Sequence, residues 1–345
     1  MNKKFVLLLV FAASLLTRLS AQDKHFTQFY ASPLTLNPAL TGVFEGKYRV
    51  GAIYRDQWRR VLDNPIRTFA LAADLRFQTP TKDVREDAIG LGLLFYQDKV
   101  SVIDFATTQL AVSMAYHKAL DVNNRQFLTL GIQGGLTQRN LNYEALNFHD
   151  EFDGLNGYFG TTDELLPRNN FAYGDLSIGL NYSSKIGRAS GLYLGMAMHH
   201  VTEPIVSFYE RERQGDKLYR KMSAQVSANL AQNNRFSIQP RFLAAVQGPH
   251  LEINTGTNFR FAFGQYGGQA LHLGTWVRPV RNDSGFGLDA LVLLAGIEFN
   301  KVLCGISYDL NLGALTQART RQGAFEISIA YLGDYDSDDI LCPKF

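Results

Sequence analysis

Apolar and polar side chains alternate in stretch after stretch of this chain, from about Lys47 to Leu332. Leu176, Ile178, Leu180 and Tyr182 fall on one side of a pleat, with Ser177, Gly179 and Asn181 on the other. The pattern returns at Phe69, Leu71, Ala73, Leu75 and Phe77 against Asp74 and Arg76, and at Phe325, Ile327, Ile329 and Tyr331 against Glu326 and Ser328. Successive strand side chains point to opposite faces, so each stretch is a ribbon with one apolar and one polar face. A chain made almost wholly of such ribbons has two outlets: a water-soluble all-β fold, or a β-barrel that spans an outer membrane.

Residues 1–21 read as a secretory signal peptide. Lys3 and Lys4 supply the charged start, Phe5 to Leu16 the apolar stretch and Ser20-Ala21-Gln22 a small-residue exit, with cleavage expected after Ala21. The competing reading is an uncleaved anchor, but the apolar core is shorter than the roughly 20 residues a membrane helix needs. Cleavage removes Lys3, Lys4 and Arg18 and no carboxylate, which takes the formal net charge from +2 to −1. No global field then gathers nucleic acid, and none is expected as a partner. No later apolar run approaches helix-spanning length, so membrane residence has to come through strands. No linker or charge block divides residues 22–345, and the charged fraction of 19% with 12% aromatics suits a surface that partly faces lipid, although a secreted pair of β-sandwiches would share those values.

Turn signals cut residues 46–333 into about fourteen ribbons, from 46–58 through 322–333, an even number as in bacterial single-chain barrels. Such barrels keep periplasmic turns short and send long loops outward. The two longest connections, 139–170 and 202–216, both follow odd strands, whereas those after even strands are mostly tight, as at 187–189, 233–234, 265–266 and 300–301. The exception is 78–87. This parity favours an antiparallel transmembrane barrel with N- and C-termini in the periplasm. Pro240 lies inside a ribbon and predicts a bulge or a misplaced boundary. Gly90, Gly92, Gly131, Gly134 and Gly135 also fall within strands, where barrel curvature is the expected reason and close approach of something in the lumen the alternative.

The chain opens its mature part with Gln22-Asp23-Lys24-His25-Phe26-Thr27-Gln28-Phe29-Tyr30-Ala31-Ser32-Pro33-Leu34, then Asn37-Pro38-Ala39-Leu40-Thr41-Gly42, then Tyr54-Arg55-Asp56-Gln57-Trp58. This arrangement resembles the PorP/SprF family of outer-membrane proteins of the type IX secretion system in Bacteroidetes. Weaker agreement continues through Leu141-Asn142-Tyr143, Tyr308-Asp309 and Gly323 to Ser328, and ends at Cys342-Pro343-Lys344-Phe345. The resemblance implies a non-enzymatic outer-membrane barrel that serves secretion, gliding or surface display of an adhesin by protein contact. Its implied partners are the type IX machinery, a secreted cargo adhesin or both, together with outer-membrane lipid. It implies no cofactor and no small-molecule substrate.

The residues divide into a signal (1–21), an N-terminal periplasmic or plug segment (22–45), the barrel (46–333) and a periplasmic tail (334–345). Pro33 and Pro38 forbid a regular ladder and hold the residues before them extended. Phe26, Phe29, Tyr30 and Leu34 then need cover, either within the barrel as a plug or against a periplasmic partner. Pro33, Asn37, Pro38, Gly42 and Trp58 belong to the same plug or docking set. Cys304 and Cys342, the only cysteines, form a disulfide candidate that would staple the tail to the barrel. His149, Asp150, Glu151, Asp153, Glu210 and Arg211, in the two long loops, are candidate cargo contacts. His199 and His200, adjacent in a strand, point apart and predict one lumen and one rim histidine rather than a chelate. Asp334, Asp336, Asp338 and Asp339 read as a solvated tail. No nucleophile elbow, P-loop or zinc-protease motif occurs, and no enzyme is expected. The rival reading is an outer-membrane channel or hydrophobic-solute transporter whose lumen carries Asp74, Arg76, Arg241 and Arg260.

Overall fold

The computed structural model describes residues 26–44, 46–59, 65–79, 85–100, 103–154, 157–158, 162–187, 189–209, 216–263, 268–282, 285–312 and 322–333. The signal, the tail from 334 (with its aspartates and Cys342), Glu210 and Arg211 lie outside them. The alternating stretches form fourteen strands: β1 (Tyr48–Gln57), β2 (Ile66–Gln78), β3 (Ala88–Val100), β4 (Phe105–Ala119), β5 (Gln126–Asn140), β6 (Asn170–Ile186), β7 (Ser190–His199), β8 (Lys221–Ala231), β9 (Phe236–Gln247), β10 (His250–Phe263), β11 (Gln269–Asn282), β12 (Gly285–Phe299), β13 (Val302–Asn311) and β14 (Gln322–Gly333). Each pairs antiparallel with its sequence neighbours, and β1 closes on β14 in an unbroken register from Tyr48 opposite Gly333 to Gln57 opposite Ala324. Closure removes every sheet edge.

Two-residue periodicity decides which face meets which solvent. Leu71, Leu93, Leu110, Val112, Leu130, Ile132, Leu136, Ile178 and Ile327 stand exposed on the outside. Their neighbours Ala72, Leu94, Ala111, Gln133, Ser177 and Glu326 are buried inside. An apolar band of that extent is unfavourable in water and is the surface a bilayer requires. Charged side chains collect in the lumen, including Asp74 and Arg241 as expected.

Connections after odd strands leave one end of the barrel and those after even strands leave the other. The long connections 141–169 and 200–220 share the first end with 58–65, 101–104, 248–249, 283–284 and 312–321; the second holds 79–87, 120–125, 187–189, 232–235, 264–268 and 300–301. Pro240 produces no bulge. Its pairing with Thr257 of β10 is continuous, while the β8–β9 ladder lapses between Ser227–Arg241 and Leu230–Ile238 and resumes in the same register, because one missing N–H costs a rung without requiring an extra residue. Register shifts occur instead at Arg278/Pro279 and Tyr308/Leu310.

Candidate functional site: the segment within the lumen

Residues ahead of β1 fold into the barrel. Helical turns at Phe29–Ala31, Pro33–Leu36 and Pro38–Leu40 satisfy a backbone that two prolines keep out of any ladder. Asn37 is extended (φ −159°, ψ 121°), as a residue before proline should be, and its Oδ1 accepts from Ala39 N at 2.8 Å to cap the last turn. Pro33 takes the first helical position, where its missing N–H costs nothing.

The segment crosses the lumen from one half to the other. Thr27 lies toward the long-loop end, where the Thr27 and Gln28 backbone N–H groups donate to the two carboxylate oxygens of Glu326 at 2.7 and 2.9 Å. Around Thr27 are Arg55, Arg278 and Asp309: Arg55 pairs with Glu326 and, at 3.2 Å, with Asp309, and Arg278 pairs with Asp309 at 2.9 Å. All four side chains are almost wholly buried. Two cations and two anions compensate one another there, which is the condition for holding charge in a dry interior. At the short-turn end, Gly42 (φ +74°) donates to Asp74 at 2.8 Å, and Arg49 binds the same carboxylate at 2.7 Å and the Leu40 carbonyl at 3.1 Å.

Between these anchors the apolar side chains find cover. Phe26 and Leu34 join Ile53, Ala70, Ala72, Leu94 and Ala111. Phe29 meets Trp276 edge-on at 5.5 Å between ring centres, and Tyr30 stacks on the same indole at 5.9 Å. The Arg241 guanidinium stands 3.9 Å from the centre of the Tyr30 ring, and Asn258 donates to the Tyr30 hydroxyl at 3.2 Å.

The glycines correct the expectation of curvature. A Cβ at Gly90 would lie 2.3 Å from the Thr41 carbonyl oxygen, one at Gly92 2.7 Å from Leu34, one at Gly131 2.5 Å from the Pro38 oxygen and one at Gly179 1.9 Å from Asn37 Oδ1. These residues are notches in the wall, cut for the backbone and side chains of the segment. Gly134 faces open space, and Gly135 is tight only against Ala111 and Leu110 of the adjoining strand.

Other expected residues fall elsewhere. Trp58 follows β1 at the long-loop end with φ +61°, its N–H bound to the Gly323 carbonyl. The acidic groups of the 141–169 connection hold their own loop: Asp150 accepts from Asp163 N at 2.7 Å and from Thr162, Glu151 from Phe148 N, and Asp153 from Gly157 N. His149 is exposed beside them. Cys304 stands on the outward face of β13, opposite Ile297 and Ile329. His199 faces the lumen and bonds Ser177 and the Leu36 carbonyl; His200, past the strand end with φ +57°, bonds Asp175 at 2.8 Å near the rim. Arg55, Asp309 and Glu326 lie in stretches that carry the family resemblance but were not named as site residues, and Arg278 and Trp276 were not singled out at all.

Comparison with known proteins bears on this arrangement. The family model described as type IX secretion system membrane protein PorP/SprF matches residues 19–331. No curated protein matches the chain. Among solved structures, the TodX monoaromatic hydrocarbon channel deltaS2 mutant aligns at a TM-score of 0.54 with 11% identity, over 88% of this chain and 94% of that one. The toluene transporters TbuX of Ralstonia pickettii and TodX of Pseudomonas putida each align at 0.50 with 10% identity, over 88% and 91% of this chain and 94% and 99% of theirs. At such identities the likeness is one of fold.

Proposed function

The chain belongs to the PorP/SprF family of type IX secretion system membrane proteins, and from that membership we propose that it supports secretion or surface display of a cargo protein by protein–protein contact. In this reading the barrel is an integral outer-membrane anchor, the short turns and the tail after Gly333 face the periplasmic machinery, and the long connections face the cargo. The observation that carries it is the lumen segment. A wall notched at Gly90, Gly92, Gly131 and Gly179 and clamped at Glu326 and Asp74 is built around a fixed insert, and a fixed insert favours recognition at the two mouths over passage between them. The fold and family are typical of non-enzymes.

Affinity capture of the tagged protein from gently solubilised outer membrane, followed by mass spectrometry, tests this reading. Recovery of type IX machinery or of a large adhesin supports it. Recovery of the barrel alone, even after crosslinking, favours the second reading, a channel for a hydrophobic solute, which draws on the likeness to barrels described as monoaromatic hydrocarbon channels and toluene transporters. Solute exchange across planar bilayers would then decide.

A further inference from the structure

Above the lumen segment, on the long-loop side, lies a pocket of about 230 Å³ walled by β3 to β8 and floored by Thr35 of the segment. Strand register sets its depth. Asp98, Thr107 and Arg139 share one rung at the rim; Tyr96, Gln109, Thr137 and Tyr173 the next; Leu94, Ala111, Gly135 and Asp175 the one below. The third rung is hollow because Ala111 and Gly135 have almost no side chain. Phe208 from the 200–220 connection packs edge-on against Phe171 at 4.8 Å and near Phe105 at 6.2 Å, and Arg168 from the 141–169 connection bonds the Ser207 carbonyl at 3.2 Å. Both long loops therefore converge at the mouth.

Asp175 lies on the third rung with 8% of its surface exposed, and Gln133 and Ser177 line the pocket one rung deeper. The Asp175 Oδ2 pairs with His200, while its Oδ1 has no hydrogen-bond partner among the described residues. Nearer the rim, Arg139 stands 5.7 Å from the centre of the Tyr173 ring, and its Nε likewise has no acceptor among them. Buried polar atoms left in this state are costly unless something completes them. The ligand that fits both offers a donor at its deep end and an acceptor farther up, joined by an apolar stem along Tyr173 and Tyr96. A lysine or arginine side chain on an extended peptide has that form: its cation reaches Asp175, its methylenes lie on the aromatic rings, and its backbone carbonyl meets Arg139.

We propose that this pocket binds a basic side chain of a polypeptide presented from the long-loop side. The proposal deepens the contact reading above by naming the chemistry of the partner, and it rests on that reading only for the identity of the polypeptide. The lining also distinguishes this pocket from an aromatic-hydrocarbon site, since an apolar solute would leave Asp175 Oδ1 and Arg139 Nε without partners.

The test uses the full-length mature protein in detergent and two capped tripeptides, acetyl-Gly-Lys-Gly-amide and its norleucine counterpart, followed by ligand-observed NMR. The lysine peptide should bind at least about tenfold more tightly, as one charge-assisted hydrogen bond allows. Asp175→Asn should remove that preference, and Thr137→Trp, which fills the second rung, should abolish binding while the heat-modifiable barrel persists. Equal binding of the two peptides, retention of the preference in Asp175→Asn, or displacement of the lysine peptide by toluene would overturn the proposal. None of these results bears on capture of the secretion machinery, so either reading can fail alone.

Discussion

Gly131 of β5 and Pro38 of the lumen segment are in direct backbone contact: a methyl group on the glycine would stand 2.5 Å from the proline carbonyl oxygen and 2.4 Å from its carbon. Neither partner can yield cheaply, because both atoms belong to main chain. Gly131→Ala should therefore unseat the segment at a cost of about 1 to 3 kcal/mol, the range for forced overpacking. Limited proteolysis with mass spectrometry would show cleavage between Phe26 and Phe44 in the variant and protection in the parent. Gly134→Ala, on the same strand but facing open space, is the matched control and should change nothing.

The buried charges around Thr27 make a second, more severe prediction. Glu326→Leu leaves Arg55 with one anion instead of two and strips the Thr27 and Gln28 N–H groups of their acceptors. Breaking a buried pair from one side costs about 3 to 5 kcal/mol. Adding Arg55→Met should recover part of that loss, since Arg278 and Asp309 still balance each other. Urea midpoints in detergent for the two single variants and the double variant form the cycle, and full additivity would deny the coupling.

Much of the barrel was legible because its cause is local. Leu176, Ile178 and Leu180 against Ser177, Gly179 and Asn181 fix both the strand and its facing, and register follows once one face must meet lipid. The parity of loop lengths is also local: the two longest connections leave the same end of the barrel, although 79–87 leaves the other. The lumen site depends on facts that no window contains. Arg55 and Glu326 meet only because β1 closes on β14, a contact 271 residues apart in sequence. Gly131 and Gly134 look alike in a sequence, yet one faces the segment and the other open space, a difference of face that parity could have supplied. Asp150 and Glu151 read as available loop acids, and only the folded loop shows them spent on Asp163, Thr162 and Phe148.

Tryptophan emission offers a direct readout of the segment. Trp276 is 2% exposed, covered by Phe29 and Tyr30, and its Nε1 donates to Asn258 at 2.9 Å. The other tryptophan, Trp58, is half-buried near the long loops, so Trp58→Phe isolates the signal. In that background Phe29→Ala should red-shift the emission and admit a small aqueous quencher, with a stability loss of about 3 kcal/mol as for other buried phenylalanines. An unchanged spectrum would mean that Trp276 owes its cover to the wall alone.

Acid should loosen the short-turn end. Asp87, in the connection before β3, is buried; burial alone would raise its pKa, but Lys118 at 2.8 Å, the Tyr116 hydroxyl at 2.6 Å and the Ala119 N–H at 2.9 Å outweigh that and pull its carboxyl down from 3.8 to about 2. A carboxylate whose pKa is lower in the folded state contributes stability above its unfolded value, and that contribution is lost as pH falls toward the folded one. The barrel should therefore lose stability between about pH 4 and pH 2 through this group, and Asp87→Asn should flatten that part of the profile while destabilising the barrel at neutral pH. The temperature at which the folded band converts on a semi-native gel, measured after equilibration across that range, reports both effects. If parent and variant lose stability in parallel between pH 4 and 2, the carboxylate that links β3 to β4 through Lys118 and Ala119 is not the one that acid releases.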